Sequence, residues 1–182
     1  MICRTLYDFK PEKGVPAQLT DTYRDKIPNP IIQIWKEYGF GSFMNGFLKT
    51  INPNDFQDLL QRAYFRGAIA IPVFATALGD LIVWEKDTYL TIVRFRHGTF
   101  SIMEKGCRFF LNDLSDDEYV EKYLKPRDYF TALREQGTLE YGECFGYFPL
   151  LCSGGPEDAS RLKKVKMFEH LELILSIGGP VG

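Results

Sequence analysis

The stretch that decides the fold runs from Ala68 to Met103, AIAIPVFATALGDLIVWEKDTYLTIVRFRHGTFSIM. It is a series of apolar runs of about five to eight residues, the usual strand length, rich in β-branched and aromatic side chains. Gly79-Asp80, Lys86-Asp87 and His97-Gly98 punctuate it. Side chains alternate across a strand, so Leu81, Val83 and Glu85 fall opposite Ile82 and Trp84. By the same count Ile69, Ile71, Val73 and Ala75 are predicted to share one face. Short turns between such runs build an antiparallel meander. Gly79 and Asp80 read as a structural tight turn, in which the Asp80 carboxylate accepts hydrogen bonds from turn amides.

Outward from the meander, helix signals collect on both sides. Asn29-Pro30 and Asn52-Pro53 each put a capping side chain before a proline whose missing N–H costs a first turn nothing. Ile31, Ile34, Trp35 and Tyr38 then mark one buried helix face, ended by Gly39, and Phe56, Leu59, Leu60 and Ala63 mark another. Between them, Asn45-Gly46 separates two apolar runs and predicts a hairpin. Trp35 is expected to be buried, packing its helix on the sheet that holds Trp84. A shorter helix is predicted over about 17–26.

Beyond the meander, extended structure is predicted to continue through Arg108–Leu111. Ser115 to Glu118 has capping-box spacing and opens a helix to Leu124. Another helix runs from Arg127 to Gln136, stopped by Gly137. Phe145 to Cys152, interrupted by Pro149, reads as an edge strand or irregular passage, and Arg161–Val165 as a last strand. Met167, Phe168, Leu171, Ile174 and Leu175 keep helical spacing up to Gly178-Gly179-Pro180. Helices before and after a strand meander, not alternating with it, argue an α+β fold: a mostly antiparallel curved sheet, its central meander at about 68–111, with helices packed on either side.

The totals exclude several functions. The chain has 182 residues, 45% of them hydrophobic and 15% aromatic, enough for a substantial core. A net charge of -2 gives no reason to expect nucleic-acid binding by the whole surface. No apolar run approaches the roughly 20 residues of a membrane span, and MICRTLYDFKPEKG lacks a secretion signal's apolar core. The expected compartment is the cytoplasm. Cys3, Cys107, Cys144 and Cys152 form no C-x-x-C pair and the two histidines, His97 and His170, lie far apart, so neither a metal nor a cofactor is expected.

Nor does a catalytic constellation emerge. Ser153 and Ser160 lack a nucleophile elbow, and the Gly154-Gly155 pair lacks a phosphate loop's context. Arg161, Lys163, Lys164 and Lys166 are basic without interleaved aromatics, a weak nucleic-acid signal. Carboxylates are the exception in density: Asp113, Asp116, Asp117, Glu118 and Glu121 fall in nine residues with no base among them. A helix start favours negative charge by itself. The alternative is an acidic docking face for a basic partner.

Several pieces resemble a known arrangement. Ile34-Trp35-Lys36-Glu37-Tyr38-Gly39-Phe40, Asn45-Gly46-Phe47-Leu48 and Ile51-Asn52-Pro53 are similar to the GAD-like domain of bacterial immunity proteins. Ala77-Leu78-Gly79-Asp80-Leu81-Ile82-Val83-Trp84 resembles that family's A-F-G-D-L-x-x-W signature, with Leu78 in place of Phe. Gly146-Tyr147-Phe148-Pro149-Leu150, Gly154-Gly155 and His170-Leu171 resemble the C-terminal domain of Tdi-type immunity proteins of type VI secretion. The resemblance implies a GAD-like part over 1–106 and a Tdi-type part over 107–182, packed as one unit. It implies a non-enzymatic antidote that binds and silences a cognate toxin, a nuclease and specifically a DNase, with no direct nucleic-acid or membrane contact. Monomer or weak homodimer is the expected state. The competing expectation is a small-ligand or regulatory module using the concave sheet face.

Overall fold

The computed structural model describes residues 4–182; Cys3 lies outside them. A seven-stranded antiparallel sheet runs in strict sequence order, β1-β2-β3-β4-β5-β6-β7, and is open at both edges. The strands are β1 (Lys10–Lys13), β2 (Phe40–Phe43), β3 (Leu48–Thr50), β4 (Ala70–Thr76), β5 (Leu81–Glu85), β6 (Tyr89–Arg94) and β7 (Thr99–Lys105). A separate ribbon pairs β8 (Glu143–Tyr147) with β9 (Leu162–Lys166). The helices are α1 (Ala17–Tyr23), α2 (Asn29–Tyr38), α3 (Pro53–Ala63), α4 (Phe110–Asp113), α5 (Asp117–Tyr123), α6 (Arg127–Gln136) and α7 (Met167–Gly178). The fold class is therefore α+β.

Both sheet faces are covered. One carries Ile82, Trp84, Leu90 and Ile92 against α1, α2, α4 and α6. The other carries Leu81, Val83 and Val93 against α3 and α7. The β8–β9 ribbon serves both, since Phe145 and Tyr147 enter the first core and Cys144 the second. The edge strand β7 is the least covered part of the larger sheet's second half, with Ile102 exposed.

Trp35 and Trp84 are both buried in the first core, as the pattern predicts, with Trp35 edge-on to Phe40 at 5.4 Å. Asn52 caps α3 through Asn54 N–H, and Gly137 ends α6. Four details differ from the sequence expectations. A bulge between Pro72 and Phe74 breaks the alternation of β4, so Ile71 and Val73 face one core and Ala75 the other, while Ile69 sits in a 3-10 turn. A bulge adds one residue to one strand and flips all that follow. Pro28, not Asn29, precedes α2, without a side-chain cap. The Asn45-Gly46 turn is longer than two residues, with Met44, Asn45 and Gly46 all at positive φ. Sheet structure ends at Lys105, and Phe110–Asp113 is helical. The helix places the Phe110 ring in the core, 5.2 Å from Phe74.

Gly79 meets the sequence expectation for a reason of backbone geometry. Its φ is +79°, a region that disfavours side chains, and an added Cβ would lie 3.3 Å from Leu171 of α7.

Candidate functional site

Asp80 is fully buried, but its carboxylate accepts nothing from the turn amides; this corrects the sequence expectation. Thr76 does that work: its Oγ1 accepts from Leu78 N–H at 3.3 Å and Asp80 N–H at 3.1 Å. Asp80 instead forms an ion pair with Arg96 at 3.1 Å, both side chains almost wholly buried. The pair lies off the hydrogen-bond line, leaving both Asp80 oxygens and Arg96 Nε and Nη2 without an aligned partner. Burial raises the Asp80 pKa, and Arg96 opposes that rise.

Sequence reading missed three other buried charges. Lys49 of β3 is inside, and its Nζ donates to the carbonyls of Tyr141 at 2.8 Å, Glu140 at 3.2 Å and Glu143. Burial lowers its pKa to about 8, with Cys144 and Glu143 opposing. Glu85, at the end of β5, accepts from Tyr64 Oη at 3.0 Å, Arg66 Nη1 at 3.1 Å and Thr91 Oγ1 at 3.1 Å. Arg94 donates through Nη1 to Ser101 Oγ and through Nη2 to the Tyr123 carbonyl at 2.8 Å. The available signal was a charged residue inside an apolar strand: Lys49 in Phe47–Ile51 and Glu85 after Val83-Trp84.

The acidic segment is built on this frame. The Arg94 contact pins the last turn of α5 to β6, cation against helix C-terminus. Asp116, not Ser115, caps α5: its Oδ1 accepts from Glu118 N–H at 2.9 Å and Tyr119 N–H at 3.4 Å. Ser115 lies one residue too early, its Oγ 3.2 Å from Thr5 Oγ1. Asp117, Glu118 and Glu121 are exposed. Glu121 reaches Arg127 at 3.5 Å, whereas Asp117 and Glu118 have no ion-pair partner among the described residues. Asp113 is half-buried next to Glu104 of β7, whose carboxyl is pushed up to about 7 by burial and then by Asp113. The five acids therefore divide: Asp116 acts as a cap, Asp113 faces Glu104, and Asp117, Glu118 and Glu121 make the outward face.

The histidines are kept apart by the fold. His97 contacts Glu157 at 2.9 Å, and the His170 ring lies tilted against Phe148 with centroids 5.6 Å apart. Burial lowers the His170 pKa, and a Cβ at Gly146 would lie 2.4 Å from its ring. Among the described residues no three His, Cys, Asp or Glu side chains group as a metal ion would need. No helix among them is long and apolar enough to cross a membrane.

Comparison with known proteins finds two family models that match successive parts of the chain. The GAD-like domain family matches residues 3–96. The family described as T6SS immunity protein Tdi1, C-terminal, matches residues 104–178. Curated proteins give no significant match. The crystal structure of Atu4351 from Agrobacterium tumefaciens is similar with a TM-score of 0.75 over 96% of this chain and 86% of that one. At 13% identity that likeness shows the fold alone. Between them the two family matches cover the chain, which belongs to the GAD-like, Tdi1-type family of type VI secretion immunity proteins.

Proposed function

We propose that this chain binds a cognate toxin, a DNase, and neutralises it by stoichiometric protein–protein inhibition. Membership of an immunity family supports toxin binding and a non-enzymatic role. The observation that carries the finer reading is the outward face of α5. Asp117 and Glu118 project, without ion-pair partners among the described residues, from a helix held at its far end by buried Arg94. A DNase needs a basic groove to hold DNA, and an anchored acidic face complements it. Such complementarity speeds encounter and fixes register more than it adds raw affinity.

In this reading residues 1–106 supply the scaffold and 107–182 the acidic contact, Asp113 and Asp116 supporting Asp117, Glu118 and Glu121. The complex is one-to-one, the free protein is a monomer or weak homodimer, and it works in the cytoplasm without touching nucleic acid or membrane. Co-purification with the product of a neighbouring gene that encodes a candidate toxin tests the reading, followed by nuclease assay. The expected result is a one-to-one complex and loss of DNA cleavage at equimolar ratio. An active toxin in the presence of excess chain would contradict it.

A further inference from the structure

The two edges of the seven-stranded sheet are built differently. β1 carries Pro11, which has no N–H, and a bulge follows it; both features blunt an edge strand. β7, at the other edge, is seven residues long. Its run Thr99-Phe100-Ser101-Ile102-Met103 holds no proline and no charge. The bulge in its pairing with β6 falls at Met103, so Thr99 to Ile102 keep a regular ladder. Among the described residues the backbone of 99–105 bonds to β6 and to no other segment. A row of outward N–H and C=O groups is left over, a template for another strand.

Side chains at this edge have the make-up of an interface. The Phe100 ring meets Phe65 at 5.2 Å and Tyr64 at 5.5 Å, and the Arg66 guanidinium lies over Phe65 and Phe100. Glu85 holds Arg66 in place. Phe65 is 60% exposed and Ile102 44%, and aromatic and arginine side chains are enriched where proteins meet. The strand also fits itself. A second β7, antiparallel and with a two-fold axis at Ser101, sets Phe100 against the partner's Ile102 twice, a favourable aromatic and β-branched pair. An axis one residue later sets Phe100 against the partner's Glu104, whose side chain the bulge turns to the other sheet face. Charge agrees with the Ser101 axis. It brings the partner's Lys105 level with His97, beside which stands the exposed carboxylate of Glu157. Lys105 is exposed and has no ion-pair partner among the described residues, so a basic nuclease is repelled at this edge while a second copy is not. With β1 blocked, pairing closes at two copies instead of growing into a fibre.

We infer that β7 is a homodimer interface, taking the β7 strand of a second copy of this chain edge to edge about a two-fold axis at Ser101. The inference stands apart from the toxin reading and survives its failure. The test is sedimentation of the full chain without toxin over a concentration series, beside Ile102→Lys with its unfolding midpoint. A second arm oxidises Ser101→Cys and Thr99→Cys, each in a Cys3→Ser, Cys152→Ser background, because Cys152 is exposed. The axis sets Ser101 against itself and keeps the two Thr99 apart. The expected result is a reversible dimer, at least tenfold weaker in Ile102→Lys at an unchanged midpoint. Ser101→Cys should give a covalent dimer and Thr99→Cys none. Should Ile102→Lys fail to fold, the two cysteine variants decide alone. A chain still monomeric at about 1 mM overturns the inference, as does a dimer that persists in Ile102→Lys without a Ser101→Cys cross-link. A monomeric chain whose toxin affinity falls in Ile102→Lys gives this edge to the toxin, and overturns it too.

Discussion

Charge lives in two regions of this molecule under opposite rules. In and around the sheet, Asp80, Lys49, Glu85 and Arg94 are buried, and each is answered by specific groups: Arg96, three carbonyls, three donors, and a hydroxyl with a carbonyl. On α5, Asp117 and Glu118 are exposed and answered by no charge among the described residues. The first kind is costly to disturb, because removing one partner strands the other in a low dielectric. The second contributes little to folding. Loss of stability is therefore the expected signature of mutating a buried charge, while the exposed ones are left to be explained by solubility or by a partner. Mutating one region should separate cleanly from mutating the other.

The largest expected effect is at Asp80. Asp80→Ala leaves Arg96 buried and unpaired, and should cost about 3–5 kcal/mol in urea unfolding. Toxin affinity of the molecules that remain folded should not change. A loss of affinity without a loss of stability would place the Asp80 turn in the interface and blur the comparison.

Lys49 comes next. Lys49→Met strands the carbonyls of Glu140 and Tyr141, just before β8, and of Glu143, at its start, and should cost about 1–3 kcal/mol. The pH dependence gives a second readout. Because its folded pKa falls from 10.5 to about 8, the folded protein releases a proton between those values that the unfolded chain keeps. Stability from this group therefore rises with pH across that window, and Lys49→Met should abolish the rise. A variant whose unfolding curves keep the same slope from pH 8 to 10.5 would show that Lys49 is not the titrating group.

Glu104 should show a smaller effect of opposite sign. Its carboxyl, raised from 4.5 to about 7, keeps a proton in the folded state that the unfolded chain loses as pH rises. Stability is full below about pH 4.5 and declines as pH rises through 7. Glu104→Gln should raise the unfolding midpoint at pH 8 and leave it unchanged at pH 4.5. An equal shift at both would assign the effect to packing.

These contrasts also mark what the sequence could reveal. Local chemistry was readable where a residue acts on its own neighbours. Asn52-Pro53 opens α3, Gly137 and Gly179 close α6 and α7, and Gly79 turns between β4 and β5. Trp35 and Trp84 announced the core by their spacing. Contacts between residues distant in the chain were not readable. Lys49 meets carbonyls more than ninety positions away, and Asp80 takes its partner from beyond β6. Whether Ser115 or Asp116 caps α5 was hidden because both residue types cap well and they stand side by side. The acids were visible as a cluster, but only the fold divides them into cap, half-buried neighbour and outward face.

The smallest effect on folding is expected from the outward face, which also carries the functional claim. Reversing Asp117 and Glu121 to lysine together should cost only about 1 kcal/mol, the sum of a helix-dipole contribution and the exposed Glu121–Arg127 pair. The decisive measurement is the association rate of this double variant with the toxin across a salt series, beside the unmodified chain. The rate should fall several-fold at low ionic strength, and the two curves should converge as screening shortens the reach of charge to about 3 Å near 1 M salt. An unchanged rate at low salt, in a protein that still folds and binds, would remove α5 from the interface and contradict the account.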